Sequence, residues 1–154
     1  MKLYTDIEQS KNLLNLGLKP ESSDMCYIKH CTSNNPEWRF DEEVPPMVLG
    51  DTPLSKISVP TLPCWSLAAL LELLPNEIST DDSFACHYQI DIRKYDGGDN
   101  TTLYQIAYGN NRGRSGSWHD MINTGEKENL IDCCVQMILK LRQLPTTKVV
   151  GFLA

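Results

Sequence analysis

Residues 85–108 read ACHYQIDIRKYDGGDNTTLYQIAY, and this stretch decides the fold. Apolar and polar side chains alternate over residues 86–93. Over residues 102–108 the larger side chains of Tyr104, Ile106 and Tyr108 alternate with Leu103, Gln105 and Ala107. A period of two is typical of strands with one buried and one wet face. The residues between the two runs, 96–100, are Asp, Gly, Gly, Asp and Asn, which favour a tight turn because they tolerate positive φ. The stretch therefore predicts an antiparallel β-hairpin.

The polar face of the first hairpin strand carries a row of functional groups: His87, Gln89, Asp91 and Arg93. Such a row is typical of the solvated face of a half-buried sheet. If another element covers it, the same row lines a cleft in which His87 acts as a base and Asp91 orients it. The sequence leaves both interpretations open.

Helical patterns surround the hairpin. A first helix follows a capping box of Thr5 and Glu8. A second begins at Ser66, and its leucines recur with helical spacing at positions 67, 70, 71 and 74. A third, capped by Thr124, covers roughly residues 126–143. Each helix has one apolar face, so we expect an α+β fold in which about three helices pack on one face of a small antiparallel sheet.

Residues 32–64 form a proline-rich segment that holds six of the nine prolines, and these discourage helices and central strands. We expect an irregular cover rather than a linker. The side chains expected to anchor it are Trp38, Phe40, Val48, Leu49 and Ile57. With 154 residues and no internal repeat, the chain is predicted to be a single domain over residues 1–154.

Composition narrows the function classes. The net charge of −6 argues against general nucleic-acid binding and against binding to anionic membranes. No apolar run approaches the ~20 residues of a membrane span, and the polar start does not resemble a signal peptide. We therefore expect a cytoplasmic protein. The apolar, β-prone residues 148–153 are expected to join the sheet or to pair two copies in a homodimer.

The six cysteines are expected to be reduced and largely buried, since disulfides are rare in the cytosol. A zinc site would have to draw on Cys26, His30 and Cys31, with Cys64, Cys86 and His87 brought near in space. No Cys-x-x-Cys pair occurs, although such pairs are typical of structural zinc sites. The sequence predicts no metal and no cofactor.

A catalytic triad is suggested only by the letters of Ser117, His119 and Asp120. A strand would place Asp120 on the face opposite the other two, whereas the acid of a triad must lie behind the imidazole. We therefore predict no catalytic residue, and this favours a protein that is not an enzyme without deciding the question.

The glycine-rich segment over residues 109–118 is the predicted binding site. Arg112 and Arg114 can hold an anion through paired hydrogen bonds, and Trp118 offers the large apolar area that anchors interfaces. With His119 they make up the predicted site. Two functions stay open: non-catalytic binding of a protein partner, or an enzyme or ligand-binding domain for a phosphate-bearing small molecule near residues 112–119.

The order of the segments carries a resemblance. A capped first helix, the run WSLAALLELLP over residues 65–75, a hairpin and the run ENLIDCC over residues 128–134 resemble small proteins of prophages and conjugative elements in Bacteroides-type gut bacteria. Those proteins have no assigned biochemical activity, and the shared residues are of the core type. The resemblance implies an accessory protein of a mobile genetic element and assigns no functional residue.

Overall fold

The computed structural model describes residues 2–32, 35–79, 87–111 and 117–144. The chain forms two compact units. The N-terminal unit is Leu3–Leu70, and the C-terminal unit begins at Leu71 and includes Lys2. The prediction of a single domain stays a prediction. Cys86 and the tail over residues 148–153 lie outside the described residues.

The predicted α+β class is confirmed, with α-helices and small antiparallel sheets. The elements up to the boundary between the units are α1 (Ile7–Asn15), β1 (Met25–Ile28), β2 (His30–Thr32), β3 (Asn35–Arg39), β4 (Met47–Val48), β5 (Thr61–Cys64) and α2 (Leu67–Leu73). Those beyond it are β6 (Glu77–Ser79), β7 (His87–Asp96), β8 (Thr102–Asn110), β9 (His119–Asn123) and α3 (Leu130–Gln143). Short 3₁₀ turns cover Pro20–Ser22 and Leu54–Lys56.

The first helix is correctly predicted, but its cap lies one residue further along the chain. Asp6 is the N-cap of α1: its side chain accepts from the Gln9 N–H at 2.7 Å, and the Gln9 side chain accepts from the Asp6 N–H at 3.2 Å. Thr5, predicted as the cap, is instead fully buried. Gly17 follows the helix with a φ of 84°, a conformation that glycine adopts without strain.

The N-terminal unit shows that the proline-rich segment is more regular than predicted. Strand β5 pairs antiparallel with β1, with Pro63 opposite Cys26, in the sheet order β4-β1-β5. This is possible because β5 is an edge strand, where a missing N–H can face away from the ladder. Strands β2 and β3 form a separate antiparallel pair.

The expected anchors of this segment are only partly correct. Leu49 is buried, and Phe40 packs against a buried cluster of Tyr27, Leu62 and Cys64. Ile57 is half-buried. Trp38 and Val48 are wrong as anchors, because they are 60% and 70% exposed.

The C-terminal unit contains the predicted hairpin. Strands β7 and β8 pair from Gln89–Gly109 to Asp96–Thr102 in an antiparallel four-stranded sheet of order β6-β7-β8-β9. Helix α3 packs against β8. It begins later than predicted, after the N-cap Asn129. Thr124 does not cap it but is buried, and its Oγ1 accepts from the Ile106 N–H at 3.0 Å.

Burial along β7 departs from the predicted alternation. Ile92 was expected to be buried but is 45% exposed, whereas its neighbour across the ladder, Ile106, is fully buried. Helix α3 contacts β8, and this explains why the apolar face is closed at β8 and partly open at β7. On the polar face of β7, His87 and Gln89 are exposed as predicted, whereas the Arg93 side chain is only 24% exposed.

Candidate functional site

Of the four predicted binding residues, two lie among the described residues and two do not. Arg112 and Arg114 lie outside the described residues, so their placement is not part of the site below. Trp118 is half-buried directly before β9, and His119 is exposed at the start of that strand, opposite Asn110 of β8.

The polar face of the four-stranded sheet gathers residues from three strands around Trp118. Antiparallel register places Arg93 of β7 opposite Gln105 of β8, and Asp91 opposite Ala107. A β-bulge between Tyr108 and Gly109 shifts the register of β9. The structure thus brings two of the row residues on β7 together with Trp118 and with Asp120, which lies 27 residues further along the chain than Arg93.

Arg93 is the centre of this face. Its Nη1 and Nη2 donate to the two carboxylate oxygens of Asp120 at 3.0 and 2.6 Å, a bidentate ion pair. Its Nε donates to Asp91 Oδ2 at 2.6 Å, and Nη1 also donates to Gln105 Oε1 at 3.1 Å. The guanidinium therefore has a fixed position, and two carboxylates balance its charge.

Hydrogen bonds also determine the electrostatics of Asp120. Its pKa is lowered, first by the hydrogen bond from Arg93 and further by those from Trp118 and Asn123. The pKa of Arg93 is raised, mainly by its hydrogen bond to Asp120. Both groups therefore stay charged at neutral pH. Since a general acid or base works best with a pKa near the operating pH, this pair is suited to holding geometry rather than to proton transfer.

Trp118 is oriented by two contacts. Its Nε1 donates to Asp120 Oδ1 at 2.7 Å, and the Arg93 guanidinium carbon lies 5.9 Å from the ring centroid, a cation–π contact. The indole also lies close to Gly109, where an added Cβ would come within 2.6 Å of the ring atom Cε2. Glycine is therefore required at this position near the end of β8, a close-approach role that strand glycines often have.

A shallow groove of about 270 Å³ lies beside Trp118 on the same unit. Its lining residues are Glu77, His87, Gln89, Gly109, Asn110, Asn111 and Trp118. His87 Nδ1 contacts the Glu77 carboxylate across β6 and β7, and Asn110 Nδ2 donates to the His87 carbonyl at 3.2 Å. His87 thus borders the groove, whereas Asp91 and Arg93 belong to the adjacent network.

The described residues give less support to a catalytic triad, a metal site or a reactive thiolate. No hydrogen bond among them joins His119 to Asp120, whose oxygens accept from Arg93, Trp118 and Asn123. No group of three or more His, Cys, Asp or Glu side chains in the described ranges is placed to hold a metal ion. Burial raises the pKa of the Cys64 thiol to about 11 and that of Cys134 to about 12, which disfavours reactive thiolates.

The sequence contained a signal for part of this site. Gly109 belongs to the predicted glycine-rich segment, yet it is the penultimate residue of β8, and a glycine inside a strand indicates a close approach by another group. Nothing in the sequence indicated that Asp120 would meet Arg93, because that pairing depends on the bulge and on the order of the strands. The sequence left open a cleft along the row that begins at His87, but it did not indicate that β6 would supply Glu77 from outside the hairpin.

None of the helices in the described part of the chain is long and apolar enough to cross a membrane. No family model, no curated protein and no solved structure matches the chain. The candidate site is therefore defined by its own geometry, a tryptophan held between a bidentate Arg–Asp pair and a polar groove.

Proposed function

We propose that this protein acts by binding a protein partner, without catalysis, through the face that carries Trp118 and Arg93. The observation that supports this most directly is the fixed orientation of Trp118. An aromatic side chain that is ordered before binding loses little conformational entropy when a partner packs on it. Tryptophan and arginine are also the residues most enriched among those that dominate binding energy.

The titration behaviour of the network supports binding over catalysis. The pKa of Asp120 is lowered and that of Arg93 raised, so both move away from neutral pH. Networks that perform acid–base chemistry show the opposite tendency, with at least one group near the operating pH.

Charge suggests the kind of partner. The described polar face and groove carry the carboxylates of Glu77, Asp91 and Asp120 against the one guanidinium of Arg93 and the imidazole of His87. The whole chain has a net charge of −6. Complementary potentials speed association and exclude wrong partners, so we expect a partner surface with lysine or arginine next to an apolar group.

The test compares Trp118→Ala with Trp38→Ala, a control at an exposed tryptophan of the other unit. Both purified variants and the wild type are immobilised, and the proteins captured from a host extract are quantified by mass spectrometry. We expect Trp118→Ala to lose a defined set of partners that wild type and Trp38→Ala retain. An identical set from all three proteins would refute the proposed surface.

A second variant tests whether the orientation of Trp118, and not only its presence, contributes to partner binding. Arg93→Gln removes the bidentate pair while keeping a polar side chain, so it frees Trp118 without deleting it. We expect partner binding to weaken by about tenfold, the cost of one well-formed charged contact. Undiminished binding of the purified partner by Arg93→Gln would show that the orientation of Trp118 is irrelevant.

The remaining expectations belong to the same proposal. A phosphate-bearing ligand near residues 112–119 stays a prediction, because both arginines on which it depends lie outside the described residues. The role in a mobile genetic element rests on the sequence resemblance. A cytoplasmic location is supported by the free thiols of Cys26, Cys31, Cys64, Cys133 and Cys134, which a reducing compartment maintains.

A further inference from the structure

The groove beside Trp118 has a lining that suits a small polar ligand. Among the described residues, its lining has one indole, three carboxamides, one carboxylate and one imidazole around a volume of about 270 Å³. We infer that it is a binding site for a single neutral sugar residue. This inference shares Trp118 with the surface proposed above, but it concerns the side of the indole that borders the groove, and its polar contacts come from side chains outside the Arg93 network.

The carboxamides provide the hydrogen bonds. A sugar hydroxyl both donates and accepts, and a carboxamide offers two donors and one acceptor oxygen in fixed geometry. No hydrogen bond within the described residues engages the side chains of Gln89 and Asn111, which border the groove. The Nδ2 of Asn110 donates to the His87 carbonyl, and its Oδ1 can accept a hydrogen bond from a ligand. Two neighbouring hydroxyls of a pyranose can therefore donate to and accept from these carboxamides.

Trp118 supplies the apolar surface. One face of a pyranose presents C–H groups, which pack on an aromatic ring as other apolar groups do. The hydrogen bond from Trp118 Nε1 to Asp120 holds the indole in place before the ligand arrives. The indole of Trp118 therefore loses little conformational entropy when the sugar binds.

Size and charge restrict the ligand further. The volume admits one hexose and not a longer saccharide lying wholly inside. Glu77 lines the groove, so a phosphate would meet the negative charge of its carboxylate. A neutral ligand avoids that repulsion. The groove is also open to solvent at the exposed side chains of Gln89 and Asn111, which would let a glycan continue beyond the bound residue.

The experiment is saturation-transfer NMR on the full chain. The probes are the methyl glycosides of glucose, galactose and mannose, together with N-acetylglucosamine and, as a competing ligand class, adenosine. We expect at least one sugar to bind with a dissociation constant of about 1–10 mM, as for a small ligand with few contacts. Trp118→Ala should abolish the signal.

Matched variants localise the site. Gln89→Ala and Asn111→Ala should each weaken sugar binding by at least about fivefold, the equivalent of one hydrogen bond. Trp38→Ala should bind as wild type does, and thermal unfolding of every variant checks that it is folded. Saturation transfer from none of the sugars at about 50 mM would overturn the inference. Binding of adenosine alone, or sugar binding that survives Trp118→Ala, would overturn it as well. Partner capture is read out separately, so the proposed function can fail while this site stands, and the reverse.

Discussion

Trp118 lies so close to Gly109 that no other residue fits at position 109 in this arrangement. A Cβ there would come within 2.6 Å of the indole Cε2 and 2.5 Å of the His119 carbonyl oxygen. Contacts below 3.0 Å are essentially never seen for real Cβ atoms. The strand glycine thus determines where the tryptophan can lie, and the tryptophan in turn contacts both Arg93 and the groove.

Gly109→Ala should therefore displace Trp118 and lower the free energy of unfolding by about 1–3 kcal/mol, as overpacking usually does. Denaturant unfolding measures the loss, and the emission of Trp118 reports the displacement. In a Trp118→Ala background the same change should cost less, because only the clash with the His119 carbonyl remains. Equal costs in the two backgrounds would show that the indole is not what excludes a side chain there.

Arg93→Gln tests the ion pair through its pH dependence. The folded-state pKa of Asp120 is lowered, mainly by the hydrogen bond from Arg93. The pair's contribution is thus fully present above the unfolded-state pKa of about 3.9 and is lost as the pH falls through the lower folded value. We expect Arg93→Gln to cost about 1 kcal/mol at pH 7, after allowance for solvent screening, and progressively less below about pH 4.

The control for this experiment is Arg39→Gln in the N-terminal unit. Arg39 lies 3.8 Å from Asp41 and its side chain is 58% exposed, so it is an ordinary surface pair. Such pairs contribute little, and we expect no pH-dependent difference from wild type. If both variants followed the same pH profile, general charge effects rather than the Arg93–Asp120 geometry would explain the result.

Local pattern was sufficient to predict the hairpin and the existence of the helices. The turn between β7 and β8 is encoded in five consecutive residues, and positive φ values occur at Gly98, Asp99 and Asn100 as that chemistry requires. Ser66 also behaves as predicted, because its Oγ accepts from the Ala69 N–H at 3.2 Å. These features depend on neighbours within a few residues.

Other features depend on contacts between residues that lie far apart in the sequence. Two hydroxyls read as helix caps, Thr5 and Thr124, are buried and bonded to distant backbone instead. The helices are capped instead by Asp6, which follows Thr5 directly, and by Asn129, five residues after Thr124. The burial of β7 depends on which strand α3 covers, and the pairing of Arg93 with Asp120 depends on a bulge in β9's register. The alternation of side chains along a strand indicates neither which strand α3 covers nor where the bulge lies.

The thiols should differ sharply in reactivity. Among the cysteines that the structure describes, Cys31 is exposed, whereas Cys26, Cys64, Cys133 and Cys134 are buried with raised pKa values. Alkylation needs the thiolate and access to it. With iodoacetamide at pH 8, peptide mapping should show Cys31 modified at least about tenfold faster than these four. Rapid labelling of Cys64 in the folded protein would contradict its burial.

Thr5 should be important for the stability of the N-terminal unit. It is fully buried, its Oγ1 accepts from the Trp65 N–H at 3.1 Å, and it shares a hydrogen bond of 2.8 Å with Ser10 Oγ. Its carbonyl accepts from the Tyr27 hydroxyl at 2.9 Å. Thr5→Val keeps the volume but leaves the Trp65 N–H and the Ser10 hydroxyl without this partner. Unsatisfied buried groups cost about 1–3 kcal/mol each, so we expect a loss of that order in chemical denaturation.

Thr5→Ser is the matched control, because it keeps the hydroxyl and removes one buried methyl group. That deletion should cost about 1 kcal/mol, the usual transfer free energy of such a group. If hydrogen bonding dominates at this position, valine is therefore the more damaging of the two replacements, although it preserves the packing. A valine variant more stable than the serine variant would show that the buried methyl, and not the hydroxyl bonded to Trp65 and Ser10, stabilises the junction of α1 and β5.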